Sequence, residues 1–416
     1  MTEQGSIRPS AMWLVFFVIV VDLTGFGIVI PILPFISPAL GGDEIDVALV
    51  IAVYSLCAGL AGPFWGHLSD RIGRKWVLMI CLFGGALSYA CLGSSNALWM
   101  VYAARAFGGL MAGSLPVASA LMADLSTPER RAKAMGLVGT AFGIGLILGP
   151  LLGGLLAGDG ESFAAAGWFA CGLSMASVVL AALLLSNDTP AKGAASSSRK
   201  ASLSMLGFVR EKKAYWLVAQ YVFHTSAVSA AIYLSPLWLA ALLNWGPREV
   251  GLLFGGVGLA MIVIQGALMD WLTSRFGLLA VLGAGAAIFA LSLLATSVVT
   301  GVWPRALAIF MAFAGATCCL PVLNVISSSV VAAQERGRMM GITALAGSFG
   351  RVAGPLVSGA VLAVSGYKLA WLVVALPVLV VFWWSQTSAR QYSRANQSGT
   401  EADSDTDPSV SVESPS

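Results

Sequence analysis

The chain of 416 residues is strongly apolar: 58% of its residues are hydrophobic, only 10% are charged, and its net charge is +3. An ordinary soluble domain has about 25% charged residues. The composition therefore excludes an ordinary soluble domain and places nearly all of the chain in lipid. So small a net charge gives no indication of nucleic-acid binding.

Twelve apolar segments are long enough to cross a bilayer as helices, which requires about 20 residues at about 1.5 Å per residue. Their apolar runs are continuous rather than alternating, which excludes barrel strands. The predicted fold class is an all-α polytopic membrane protein. The predicted spans are 11–33, 47–66, 76–94, 98–122, 134–157, 163–186, 214–241, 250–269, 277–299, 303–331, 339–364 and 367–388.

Basic residues are concentrated on one side of this topology. If both termini are cytoplasmic, 18 of the 23 basic residues fall in cytoplasmic segments, as the enrichment of Lys and Arg in cytoplasmic loops requires. The other five lie outside or within spans: Arg248, Arg305, Lys368, Arg105 and Arg351. We expect a multi-pass protein of the inner (plasma) membrane, with a cytoplasmic segment 1–10 and a disordered, acidic cytoplasmic tail at 389–416.

Three short patterns repeat between the halves of the chain, in the same order and about 200 residues apart. The repeat predicts two pseudo-symmetric six-helix bundles, 11–186 and 214–388, joined by a basic cytoplasmic linker at 187–213. The second copies are degraded, so gating chemistry is expected mainly in the first half. The pairs are Gly66-x-x-x-Asp70 with Gly266-x-x-x-Asp270, Glu129-Arg130 before Gly136 with Glu335-Arg336 before Gly341, and Gly145-x-x-x-Gly149-Pro150 with Gly350-x-x-x-Gly354-Pro355.

The first candidate carboxylate is Asp22, near mid-membrane in the stretch Asp22–Pro34 of the first span. An ionised side chain at that depth is costly, so Asp22 is a candidate for binding a proton. The alternative is a structural Asp that hydrogen-bonds the backbone at the kink near Pro31. Arg105 of the fourth span is expected to pair with Asp22, because an unpaired buried Arg is expensive.

A polar cluster separates the second and third spans, with the sequence Gly-His-Leu-Ser-Asp-Arg-Ile-Gly-Arg-Lys at 66–75. It predicts a tight cytoplasmic turn. Asp70 is placed to cap a neighbouring helix, and Asp124 is the nearest candidate partner for Arg71 or Arg74. The alternative is an ordinary topology signal, which would need only the basic residues and leaves Gly66, Asp70 and Gly73 unexplained.

The fifth span contains a string of small residues with one proline. Spacing by four places the glycines on one helix face, where a second helix can approach closely, and a proline bends the axis. The string comprises Gly145, Gly149, Pro150, Gly153 and Gly154.

Four polar residues of the second half are candidates for a substrate cavity. Gln220 and His224 are one helical turn apart, and a histidine titrates near physiological pH. Each of these, and Asn324, could equally be a satisfied structural group. Arg351 stands where the first-half repeat has Leu146, and it could pair with an acidic substrate or brace a backbone carbonyl.

These motifs carry a resemblance that covers residues 11–388. The 66–75 pattern resembles the signature loop of major facilitator superfamily transporters, and the glycine–proline string resembles the motif of their antiporter branches. The stretch Asp22–Pro34 is similar to the first helix of tetracycline and multidrug exporters in the twelve-helix drug/proton antiporter family. Arg105 matches a family arginine thought to tune the proton affinity of a nearby acid, although Gly108 stands where the family often has Gln.

The resemblance implies a transporter that exports a hydrophobic or amphipathic, drug-like molecule in exchange for protons by alternating access of two bundles. It implies that Asp22, tuned by Arg105, carries the proton, and that the Asp70 loop, with Asp124, latches the cytoplasmic side. The helix that contains Pro150 would limit leak at the interface between the bundles. The sequence has no phosphate-binding loop that would indicate ATP as the energy source, and we expect no catalysis, metal or cofactor, no nucleic acid partner, and a monomer in the bilayer.

Three alternatives stay open. The first is an exporter of one endogenous metabolite, such as a siderophore or an amino-acid derivative, which the buried cationic groups Arg351 and His224 would suit. The second is a proton-coupled uptake symporter, against which the antiporter-type string argues. The third is a non-transporting membrane sensor.

Overall fold

The computed structural model describes residues 9–127, 131–158, 160, 163–185, 205–211, 214–331 and 335–404, and the regular structure within them is helical. Eleven segments are long and apolar enough to cross a membrane. The eleventh, Arg336–Ser388, has 53 residues, which is more than twice the length that crosses a bilayer. It consists of two helices that meet at Gly366, where φ is 74°. The described residues thus supply the twelve predicted crossings.

The helices of the first half are α1 Pro9–Val29, α2 Leu33–Ala39, α3 Glu44–Ile72, α4 Arg74–Gly93, α5 Leu98–Leu110, α6 Ser114–Asp124, α7 Arg131–Ala157 and α8 Ala164–Leu184. Those of the remaining chain are α9 Met205–Glu211, α10 Tyr215–Leu243, α11 Pro247–Val263, a π-helical turn Ile264–Leu268, α12 Met269–Phe276, α13 Leu278–Ala295, α14 Val302–Ser329 and α15 Arg336–Ser404. We call the membrane surface where α3 meets α4 the Gly73 side, and the surface between α2 and α3 the Gly41 side.

Local chemistry explains where helices differ from the predicted spans. The first span was predicted to run to residue 33, but α1 ends at Val29 and α2 begins at Leu33. Pro31 causes this break, because proline lacks the backbone N–H and its ring clashes with the preceding turn. The predicted fourth span is likewise two helices, α5 and α6, separated at residues 111–113.

The linker and tail are described only in part. In the predicted linker 187–213, the structure describes the short helix α9, and the rest lies outside the described residues, as do residues 1–8 and 405–416. The tail was predicted to be disordered from residue 389, whereas α15 continues to Ser404. Extending an existing helix avoids the cost of nucleating a new one.

The glycine string of α7 is the contact surface for α1. A Cβ added to Gly145 would lie 2.5 Å from Leu23 Cβ, and one added to Gly149 would lie 2.8 Å from the Thr24 carbonyl oxygen. Gly153 meets the backbone of Ile28 in the same way. Only glycine permits this approach, so the string predicted from sequence acts as a helix–helix contact.

The second half repeats this packing with α15 against α10. A Cβ at Gly350 would lie 2.5 Å from the Val222 carbonyl oxygen, and Gly354 abuts the backbone of Ser226. Two buried hydrophobic clusters lie in the first half, and a third in the second half also takes in Val47 and Ala48 of α3. The fold is therefore two pseudo-symmetric six-helix bundles built on the same close contact.

The bundles touch each other toward the Gly41 side. A Cβ at Gly359 of α15 would lie 2.9 Å from Ala48 Cβ of α3, and one at Gly154 of α7 would lie 2.8 Å from Gly251 Cα of α11. The Tyr233 hydroxyl adds a hydrogen bond across the bundles, donated over 2.7 Å to the Glu44 carbonyl oxygen. These contacts close the Gly41 side.

Toward the Gly73 side, the same helix faces separate. On α3, Gly59 still contacts Ser348 of α15, but a Cβ at Gly62 or Gly66, three and seven residues further on, would meet nothing within 4 Å. Residues three, four and seven apart share a helix face. Glycines elsewhere on this side that likewise have nothing within 4 Å of an added Cβ include Gly136 and Gly139 of α7, Gly341 of α15 and Gly266 of the π-helical turn. We call this open space the cleft.

The two kinds of glycine on α7 should respond differently to one added methyl group. Gly149→Ala forces α1 and α7 apart, and such overpacking costs about 1–3 kcal/mol, so the melting temperature of the protein in detergent should fall. Gly136→Ala, on the same helix but facing the cleft, should leave it unchanged or raise it slightly, because Ala favours helix. Equal melting temperatures for the two variants would contradict the packing described.

Candidate functional site

The predicted turn at 66–75 is almost entirely helical. α3 continues to Ile72, α4 begins at Arg74, and Gly73 alone makes the turn with a φ of 100°. A positive φ of this kind favours glycine, which explains Gly73. Gly66 was expected to allow a close approach, yet it faces the open cleft.

Arg74 is the centre of the polar cluster. Its guanidinium lies 2.6 Å from the Asp70 carboxylate and 3.1 Å from that of Asp124, and it donates a hydrogen bond of 2.6 Å to Ser69. The structure thus brings Asp124 to Arg74, one of the two predicted partners, whereas Arg71 is exposed. All four side chains that meet here belong to the first bundle, so in this conformation the cluster does not bridge the bundles.

Lys75 ties α4 to the end of α8. Its buried ammonium donates hydrogen bonds of 2.9 Å to the Ala182 carbonyl oxygen and 2.5 Å to that of Leu185. The last carbonyl groups of a helix have no partner within the helix, and a lysine there satisfies them. Lys75 is therefore a structural member of the cluster.

Asp22 lies in the interior of the first bundle. It is half-buried on α1, and its Oδ2 accepts a hydrogen bond of 2.6 Å from the Ser114 hydroxyl at the start of α6. Apart from Ser114, the side chains that line the small void beside Asp22 are apolar: Val18, Ile19, Leu78, Leu82, Leu115 and Ala118. No described basic side chain forms an ion pair with it.

The expected pairing of Arg105 with Asp22 is wrong. Arg105 is 5% exposed, and its guanidinium carbon lies 3.9 Å from the centre of the Tyr54 ring. Within the described part of the chain, no carboxylate lies within ion-pair distance of Arg105, and its Nε has no hydrogen-bond partner. The ring face of Tyr54 stabilises this cation instead of a carboxylate.

The second-half candidates fall into different environments. Gln220 is fully buried and His224 is 3% exposed, with the His224 ring 6.3 Å from that of Phe289. Both side chains are buried away from the open cleft, but among the described residues neither polar atom of the Gln220 amide has a hydrogen-bond partner, so Gln220 is not a satisfied structural group. Asn324 accepts a hydrogen bond of 2.8 Å from the Tyr221 hydroxyl, which fits a structural role.

His224 nevertheless occupies a notable place in the repeat. Gly145 contacts Thr24 of α1, and its counterpart Gly350 contacts Ser226 of α10 through the same backbone nitrogen. The same register places His224 in α10 where Asp22 stands in α1. Both bundles therefore carry a titratable side chain two residues before the glycine contact.

Arg351 is the candidate that reaches the interface between the bundles. It lies midway between Arg336 and Gly366, is exposed, and donates a hydrogen bond of 2.8 Å from Nη2 to the Ser348 hydroxyl. Ser348 itself contacts Gly59 of the first bundle. Of the four second-half candidates, Arg351 is the one placed where a solute in the cleft could meet it.

The sequence reading missed three residues of this region: Tyr54, Ser114 and Ser348. Tyr54 of α3 packs against Phe26 and covers the guanidinium of Arg105. Ser348 shares a helix face with Arg351 because it is three residues earlier, and that spacing could have identified it. Spacing gives no such signal for Ser114, because Ser114 and Asp22 are 92 residues apart in the sequence.

Two repeated bundles with a polar interior, closed against each other on one side of the membrane and open on the other, define a secondary transporter. The sequence relationships agree. A family model described as Major Facilitator Superfamily matches residues 15–270 and 217–407, and the chain belongs to that family. It is a multi-pass membrane transporter and not an enzyme.

The chain is similar to proteins of drug resistance. It is 28% identical to the class C tetracycline resistance protein of Escherichia coli over 397 residues, 91% of this chain and 99% of that protein. It is 26% identical to the quinolone resistance protein NorA of Staphylococcus aureus over 375 residues, 88% of this chain and 95% of NorA. These relationships link it to the drug/proton antiporters within the superfamily.

A solved structure confirms the fold. The human organic anion transporter MFSD10 superposes with a TM-score of 0.69, covering 92% of this chain and 100% of that one, at 22% identity. At this identity the likeness concerns the fold alone.

The packing of Arg105 on Tyr54 yields a prediction about stability. A desolvated cation–π contact is worth about 2 kcal/mol, so Tyr54→Leu should lower the melting temperature of the purified protein. Tyr54→Phe retains the ring face and should melt close to the wild type. If the Phe variant were as unstable as the Leu variant, the hydroxyl rather than the ring would hold Arg105.

Proposed function

We propose that this transporter exports a hydrophobic or amphipathic small molecule in exchange for protons, and that Asp22 carries the proton. The observation that supports this most is the setting of Asp22: a half-buried carboxylate among apolar side chains, with one hydroxyl donor and no cation paired to it in the described part of the chain. Burial without a counter-charge disfavours the ionised form, so such a group gains from binding a proton.

The relatives support a drug-like solute. The two relatives are named for resistance to an amphipathic aromatic drug, tetracycline or a quinolone. Each is matched over more than four-fifths of this chain. The positive-inside rule assigns the Gly73 side to the cytoplasm of the inner membrane. In that orientation the cleft opens toward the cytoplasm, the side from which an exporter takes its solute.

The proposed cycle is a rocking of the two bundles. The free space beside Gly62, Gly66 and Gly139 is where α3 and α7 would meet the second bundle when the cleft closes. The Gly41-side contacts, including the Tyr233 hydrogen bond to Glu44, would then open. Asp22 would load a proton from one side and release it to the other, which couples solute export to the proton gradient.

The test uses everted membrane vesicles with an acidic interior and a pH-quenched dye, to which tetracycline, a fluoroquinolone and other amphipathic drugs are added. Wild type should release protons when a transported drug is added. Asp22→Asn retains the acceptor for Ser114 but cannot titrate, so it should fold normally and lose drug-dependent proton release. Asp270→Asn, an exposed carboxylate of the second half, is the matched control and should behave like wild type.

Proton release that survives in Asp22→Asn would keep antiport but exclude Asp22 as the carrier. His224, its counterpart in the second bundle, would be the next residue to substitute. If none of the drugs caused proton release, in wild type or in any variant, the result would count against a drug exporter.

The second candidate function is export of one endogenous metabolite, such as a siderophore or an amino-acid derivative. Arg351 favours it, because a cation at the inner end of the cleft suits an acidic solute better than a neutral one. A metabolite of this kind, added to the same vesicles, should release protons at lower concentration than any drug.

We also propose that the Arg74 cluster latches the Gly73 side in the closed state. The ion pairs of Arg74 with Asp70 and Asp124 are partly exposed, with the two carboxylates 48% and 55% exposed. Exposed pairs contribute little to stability, so their role is expected to be conformational.

Asp70→Asn should therefore leave the melting temperature nearly unchanged while slowing drug-dependent proton release by about tenfold, the effect of losing a charged hydrogen bond of about 1.5 kcal/mol in the closed state. Asp270→Asn, its counterpart in the repeat, should leave turnover at the wild-type rate. Equal effects of the two substitutions would exclude a latch confined to the first copy.

A further inference from the structure

We propose that Arg351, with Ser348 beside it, forms a subsite for the anionic group of the transported solute. This inference rests on the proposed export function and adds the chemical class of the substrate: an organic anion, with an apolar body and a carboxylate or similar group.

The backbone of Arg351 is held firmly. Gly350 and Gly354, on either side of it, pack against α10, and the Ser229 hydroxyl donates a hydrogen bond of 3.0 Å to the Arg351 carbonyl oxygen. This fixed backbone directs the side chain away from α10. A binding group needs such support to hold its position.

The side chain reaches toward the cleft. Side chains on an α-helix lean toward its N-terminus, and the N-terminus of α15 lies on the open Gly73 side. The hydrogen bond from Arg351 to Ser348 follows this direction. Ser348 marks the last close contact between α3 and α15, beyond which Gly62 and Gly66 face open space.

The charge of Arg351 has no counter-ion among the described residues, and its one described side-chain hydrogen bond goes to a neutral hydroxyl. The equivalent residue of the first bundle is Leu146, whose carbonyl oxygen meets Gly258 of α11. A guanidinium therefore replaces an apolar side chain at one of two equivalent interfaces. A charge at membrane depth is expensive and marks a functional site by default.

Among the described residues, the first bundle offers no counter-charge to Arg351: the Asp22 carboxylate accepts a hydrogen bond from Ser114, and the Tyr54 ring covers the Arg105 guanidinium. A carboxylate entering from the cleft would meet the fork of Arg351, the geometry that guanidinium recognises best.

The experiment measures the binding of three matched probes to the full-length protein in phosphatidylcholine nanodiscs, without a proton gradient. The probes are naphthoate, naphthamide and naphthylmethylammonium, which share one aromatic body and differ in charge. Equilibrium dialysis against radiolabelled probe gives each dissociation constant, and empty nanodiscs give the blank. No anionic lipid is present to compete.

Wild type should bind naphthoate about tenfold more tightly than naphthamide, because a hydrogen bond to a charged group contributes roughly 1.5–3 kcal/mol, and should bind the ammonium probe weakest. Arg351→Gln should bring the ratio of naphthoate to naphthamide affinity to about one. Arg351→Lys should keep naphthoate preferred, though less strongly, since lysine retains the charge but not the fork. Arg275→Gln removes an exposed cation of α12 and should change nothing.

Equal binding of naphthoate and naphthamide by wild type would overturn the subsite, and this comparison needs no variant to fold. A ratio that stays unchanged in Arg351→Gln would overturn it as well. Because the measurement involves no proton movement, a failure here leaves the proton-antiport proposal intact. Conversely, loss of antiport in the vesicle assay would leave the binding ratio unaffected.

Discussion

The close approach of α7 to α1, and of α15 to α10, is the constraint on which the rest of this structure depends. In lipid the hydrophobic effect does not drive helices together, so their association relies on packing and on backbone proximity. The two glycine strings supply that proximity, with Gly149 against Thr24 and Gly354 against Ser226. Each bundle therefore holds its shape without help from the other, and the contacts between bundles are free to change.

The polar interior follows from the same division. Groups needed within one bundle are satisfied there: Asp22 by Ser114, Lys75 by the end of α8, and Arg105 by the ring of Tyr54. Arg351 is different, since it stands at the boundary with only a serine hydroxyl. The membrane makes such a charge costly. Its position beside the cleft is consistent with the proposed binding of an anionic solute.

The sequence predicted what depends on local pattern, and missed what depends on how distant segments meet. The twelve spans and the glycine strings follow from hydropathy and spacing. The pairing of Arg105 with Asp22 was predicted from charge alone and is wrong, because the bundle places an aromatic face, rather than a carboxylate, beside Arg105. The burial of His224 beside Phe289 of α13 likewise depends on a distant segment, which no periodicity in α10 reveals.

The π-helical turn at Ile264–Leu268 alters the geometry of one copy of a duplicated motif. Such a turn takes up one extra residue compared with an α-helix, and each α-helical residue spans about 100° around the axis. Asp270 therefore has a different azimuth from Asp70, although both stand four residues after a glycine. A copied motif can therefore lose its register in space while its spacing in the sequence is retained.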